Sequence, residues 1–98
     1  MEVELVEPLD TARAKELILE ILQSGSYGLR PHCLQRMHDR GLDSMDVVNV
    51  LRAGVVGAPT QVSGSWRYRV CTQRMTVVIV FRSTTKLVVI TAWRNDCP

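Results

Sequence analysis

The sequence of 98 residues predicts an α+β domain: N-terminal helices packed on one face of a three- to four-stranded antiparallel meander sheet. Three observations carry this expectation. Apolar residues recur with a helical period as far as Gly54 and with a period of two beyond it. Two helical stretches open on a capping residue, Asp10 or Asp43, and one on a first-turn proline, Pro31, and each closes at a glycine. The strands that follow are joined by connections too short for a parallel crossover. Apolar residues make up 46% and charged residues 22%, enough for one core, so residues 1–98 read as a single domain.

The first helix covers Thr11–Ser24. Ala14, Leu17, Ile18, Ile21 and Leu22 form its buried stripe, Asp10 caps it, and it stops before Gly25. Gly25–Gly28 reads as a loop. Pro31 suits the first turn of a second helix that ends at Gly41. Asp43 starts a third, with Asp46 in capping-box position and Leu42 and Val47 spaced as a hydrophobic staple; Gly54 closes it. Val55–Val62 holds Gly57 and Pro59 and predicts a weak or edge strand. Strands then follow at Trp66–Thr72, Met75–Phe81 and Lys86–Arg94. Residues 1–8 alternate acidic and apolar side chains, as an N-terminal arm or an added edge strand would.

The longest apolar runs, Met75–Phe81 and Leu87–Trp93, fall far short of the roughly 20 residues that span a bilayer as a helix, so no membrane partner is expected. Cys33, Cys71 and Cys97 are odd in number and widely spaced, which favours a reducing cytoplasm over a disulfide framework. No spacing of Cys and His suggests a metal cage, and no cofactor is expected.

Charge is distributed unevenly. Residues 1–20 hold six acids against Arg13 and Lys15, whereas Val47–Arg94 contains seven bases and no acid. Ten of the twelve bases are arginines, whose fixed fork suits phosphate. A solvated basic surface would explain this, and so would a polyanion-binding face. Alternation along Trp66–Thr72 puts Trp66, Tyr68 and Val70 on one side and Arg67, Arg69 and Cys71 on the other. The two aromatics read as core, which leaves Arg67 and Arg69 on an open face suited to a strand of RNA. Strict alternation along the last strand groups Leu87, Val89, Thr91 and Trp93, with Val88, Ile90, Ala92 and Arg94 opposite.

On the second helix, His32, Arg36 and Arg40 stack along one side at four-residue spacing. His32 reads either as a structural histidine near a helix start or as a proton-transfer group beside Arg36; His38 lies off that side and reads as surface. RNA supplies its own nucleophile, the 2′-hydroxyl, so cleavage needs a group to move a proton and cations to hold the phosphate. His32, Arg36 and Arg69 suffice in kind.

The stretch from Pro31 through His32, Arg36, Met37, Arg40 and Gly41 to Val47, then Val50–Gly54, Trp66–Val70 and Leu87–Trp93, resembles a family of small bacterial domains of unassigned function over residues 30–94. Its pattern is His-x-x-x-Arg-Met-x-x-Arg-Gly. Such domains are similar to the barnase, EndoU, colicin and RelE group of metal-free RNA-cleaving toxins. The resemblance implies a RelE/barnase-like fold and a metal-independent endoribonuclease, the toxin of a toxin–antitoxin or polymorphic-toxin system. It also implies His32, Arg36, Arg69 and Thr91 as catalytic positions. Arg40, Arg67, Arg74, Arg82 and Arg94 are the expected RNA contacts. RNA or the ribosome, a cognate antitoxin or immunity protein, and a second copy in a homodimer are the expected partners. Two rival readings remain at this stage: an RNA- or ribosome-binding module without turnover, and a protein-interaction domain whose basic face meets an acidic partner.

Overall fold

A computed structural model describes residues 5–95. The chain forms α1 (Thr11–Ser24), β1 (Ser26–Leu29), α2 (Pro31–Asp39), α3 (Ser44–Ala53), β2 (Val55–Val56), β3 (Thr60–Val62), β4 (Ser65–Cys71), β5 (Met75–Ser83) and β6 (Lys86–Arg94). All three expected helices form where their local signals lie. The Asp10 side chain accepts from the Arg13 N–H at 2.7 Å. At α3 the capping box closes in both directions, Asp43 Oδ1 accepting from the Asp46 N–H and Asp46 Oδ2 from the Asp43 N–H. Gly41 follows α2 at φ +70°, the left-handed region that glycine enters without steric cost.

The sheet departs from expectation. It has six strands in the order β1-β6-β5-β4-β2, with β3 pairing β4 off that path, and β1 runs parallel to β6. This overturns the three- to four-stranded antiparallel meander, and with it the RelE/barnase-like architecture and the hydrolase class attached to it. The physical reason is the segment that reads as a loop. Ser26–Leu29 has no alternation of its own, but α1 returns the chain alongside β6, and the Ser26 N–H donates to the Thr85 carbonyl at 2.9 Å. A side chain at Gly25 would collide with that same carbonyl oxygen, so glycine permits the close approach. The weak strand also divides: Val55–Val56 pairs with the end of β4 and Thr60–Val62 with its start.

The three helices cover one face. Ala14, Leu17, Ile18 and Ile21 of α1, Cys33 and Met37 of α2, and Val47, Val50 and Leu51 of α3 pack against Tyr68, Val70, Val77, Ile79, Leu87 and Val89. Lys15 ties α1 to the end of α3, its ammonium donating to the carbonyls of Leu51, Arg52 and Gly54 at 2.7–3.0 Å. No helix among the described residues is long and apolar enough to cross a membrane.

The N-terminal segment also lies on the helix side. Tyr68 is fully buried, edge-on to Phe81 at 5.0 Å between ring centroids. Its hydroxyl donates to Glu7 Oε2 at 2.8 Å and accepts from the Leu9 N–H at 3.1 Å. Residues 5–10 therefore form no edge strand, and Glu7 stands on the face opposite Arg67 and Arg69; Glu2 and Glu4 lie outside the described residues. Burial pushes the Tyr68 phenol up to about 12; the Leu9 N–H draws it part of the way back, and the Glu7 carboxylate adds to the rise. The fold accepts the neutral phenol, so the stability tied to it is complete below the ordinary value of 10 and is lost as the pH climbs through about 12. Tyr68→Phe is expected to cost about 1 kcal/mol at neutral pH and to flatten stability between those two pH values. Urea unfolding of both proteins across that range checks this; the same alkaline loss in Tyr68→Phe would assign the transition to another group.

Candidate nucleic-acid interface

The sheet face away from the helices is organised by an irregularity in β6. Val78 pairs with Thr91, but the next residue, Ile79, pairs with Val89, so Ile90 has no partner. This β-bulge reverses the phase of the strand. Before it, Leu87 and Val89 face the helices; after it, Ala92 does, 2% exposed and opposite Val77. Thr91 and Trp93 thus turn to the other face, opposite Val78 and Thr76. Strict alternation places Thr91 and Trp93 with Leu87 and Val89, and Ala92 opposite them; the extra residue corrects this.

On β4, Arg67 and Arg69 alternate with buried Tyr68 and Val70 and so share the face that holds Thr91 and Trp93. With Thr60, Val62 and Val78 these four line a cavity of about 200 Å³. The Arg69 guanidinium carbon stands 5.8 Å from the centre of the Trp93 ring, a cation–π arrangement. Val78 and Val80 are 6% and 4% exposed although both stand outside the core cluster beneath the helices, and Val78 is the ladder partner of Arg69. Arg67 Nε is buried in this layer without a hydrogen-bond partner. No acidic residue lines the cavity. Among the described residues the only ion pairs join Arg13 to Glu16 and Glu20, so no described acid pairs with the arginine face.

Of the expected site residues, Arg67, Arg69 and Thr91 come together here. His32 and Arg36 do not line the cavity; both are exposed on α2. Their helix does reach the same strand. Cys33, the residue after His32, is buried against β6, where burial pushes its thiol up and the Ala92 backbone hydrogen bond draws it part of the way back. Arg40 is the exposed C-cap of α2. Arg82 lies at the far end of β5. Arg94 pairs with Met75, whose side chain is in the core, so it projects from the helix side and away from Arg69. Arg74 lines a second, larger cleft of about 430 Å³ between α3 and the β4–β5 turn, with Asp46, Asn49, Thr72, Gln73 and Met75. Trp93, Thr60 and this cleft are missing from the residues expected to act. Thr60 and Arg67 are brought together only by pairing across a strand that looks weak in sequence. No three His, Cys, Asp or Glu side chains come together as a metal site among the described residues.

Residues 29–94 match the family model of a domain of unknown function, DUF4258. The chain belongs to that family. No curated protein and no solved structure matches it. The DUF4258 segment spans α2 through β6 and so contains the whole arginine-lined cavity, while α1 and all but the last residue of β1 precede it.

A buried N–H without an acceptor costs free energy that an apolar replacement recovers. In this DUF4258 chain, Arg67→Met is therefore expected to raise unfolding stability by about 1 kcal/mol while weakening anion binding at the cavity. Thermal or urea unfolding measures it; a clear loss of stability would mean that Arg67 is held by the fold for its own sake.

Proposed function

We propose that this domain binds single-stranded RNA across the face formed by β4, β5 and β6. The observation that carries this reading is the cavity in which two guanidinium groups, one with an unpartnered buried Nε, stand beside an indole and two threonine hydroxyls with no acid among them. Arginine forks bind backbone phosphates, and aromatic and guanidinium planes stack on bases. At about 200 Å³ the cavity is smaller than the roughly 300–1,000 Å³ typical of small-molecule sites, and it opens onto a sheet surface. A space of that size suits one nucleotide's reach of a longer chain rather than a free metabolite. An A-form duplex keeps its bases stacked inside, out of reach of Trp93, so the single strand is the form that fits.

A second reading, cleavage of RNA, rests on His32 and Arg36, both exposed one turn apart on α2. Cys33 meets β6 at Ala92, whose side chain lies on the helix face, so His32 and Arg36 form a group apart from the arginine-lined cavity. In that reaction the 2′-hydroxyl oxygen attacks the adjacent phosphorus and gives up its proton. The bond to the 5′-oxygen breaks, that oxygen takes a proton, and a 2′,3′-cyclic phosphate remains. The imidazole of His32 moves the proton, and Arg36, one turn on, holds the charge that builds on phosphorus.

The first test is the salt dependence of binding to a single-stranded oligoribonucleotide. Each phosphate contact contributes about 0.7 to the slope of log K against log salt, so Arg67→Ala with Arg69→Ala is expected to reduce that slope by more than one unit. An unchanged slope places the RNA elsewhere. The second test separates binding from cleavage: product with a cyclic phosphate end, falling roughly 100-fold in His32→Ala with binding retained, supports catalysis. Intact RNA held by the wild-type chain leaves a binding module without turnover.

A further inference from the structure

We infer that the free edge of β1 accepts an added strand from an acidic, extended segment of a different protein. β1 is the end strand of the sheet, and its substantial contacts are with β6 and α1 alone. The Ser26 and Arg30 N–H groups donate to the carbonyls of Thr85 and Val89 on β6. Alternation gives Gly28 the same direction and turns the N–H and C=O groups of Tyr27 and Leu29 outward, away from β6. Neither of those outward N–H groups has a partner among the described residues.

The two ends of the sheet are guarded differently. At the β4 end the outer positions are shared by β2, only two residues long, and β3, with Gly57 and Pro59 between them. Short strands and proline are devices that keep an edge from pairing with another chain. Ser26–Leu29 has no lysine, no proline and no bulge. Tyr27, 39% exposed, adds a ring beside the edge that apolar residues at alternate positions of an incoming strand can cover.

Charge decides the occupant. No acid occurs between Glu20 and Asp39, whereas Arg30 directly follows β1, Lys86 is the register partner of Ser26, and Arg36 follows on α2. None of these three bases is in an ion pair among the described residues. A second copy would bring the same bases to the edge, so self-pairing is opposed and an acidic segment is favoured.

The test uses the full chain and, as probe, a short peptide alternating glutamate and valine. In the free protein the Tyr27 and Leu29 amides are expected to exchange with solvent quickly, and Gly28 and Arg30 slowly. The peptide is expected to slow Tyr27 and Leu29 while a lysine–valine peptide does not. Tyr27→Pro removes the outward N–H and the exposed ring but leaves the N–H groups of Ser26, Gly28 and Arg30 in place, so it is expected to weaken peptide binding about tenfold. Arg67→Ala with Arg69→Ala is expected to leave peptide binding unchanged. The exchange pattern of the unmodified chain decides the matter even if the proline variant unfolds. Three results would overturn the inference: no protection of Tyr27 and Leu29 by the acidic peptide, protection that rises with protein concentration alone, or peptide binding lost in the double arginine variant.

Discussion

One unpaired residue, Ile90, sets which side of β6 each later side chain occupies. A regular strand from Leu87 to Trp93 would bury Thr91 and Trp93 beneath the helices and leave Ala92 in solvent. With Ile90 inserted, Leu87, Val89 and Ala92 all meet the helical layer, and Thr91 and Trp93 turn to the face of Arg67 and Arg69. The same irregularity therefore completes the core and furnishes the candidate site. Bulges occur where a strand must re-aim a side chain, and here the re-aimed group is the indole on which Arg69 rests.

The arginine face follows from having helices on one side only. Val78 and Val80 sit on the side away from the core cluster and are nevertheless buried, and an N–H of Arg67 lies unsatisfied on that same side. An apolar residue would cover the valines without that cost. The polar layer is thus a place where stability is given up, and in the proposed complex with RNA a phosphate oxygen on the guanidinium recovers it. The opposite face shows the contrast: buried Tyr68 has both a donor and an acceptor partner in the N-terminal segment.

What could be read from the sequence was local. The helix starts at Asp10 and Asp43 and the glycines at 25, 41 and 54 are signals within a turn or two of chain, and all three helices formed where these lie. The placing of Arg67 and Arg69 opposite Tyr68 and Val70 was legible because β4 alternates without interruption. What was not legible depended on distant partners. Ser26–Leu29 becomes a strand only because β6, some sixty residues on in the chain, offers it a parallel ladder. The unpaired position in β6 follows from its register with β5, which no residue type in Val88–Thr91 announces. His32 and Arg36 share one side of α2, as their spacing requires, but spacing on a helix does not fix what that side faces, and neither lines the cavity.

The central claim is that the side of the sheet re-aimed at Ile90 is where a phosphate-bearing strand sits. Nitrogen-15 spectra of the arginine and tryptophan side chains, recorded as a single-stranded oligoribonucleotide is added to the full chain, test it most directly. The account predicts shifts of the Arg67 and Arg69 Nε–H signals and of the Trp93 indole N–H, with the amides of α1 unmoved. Shifts confined to Asn49, Gln73 and Arg74 around the α3 cleft, with Arg67 and Trp93 unchanged, would contradict it.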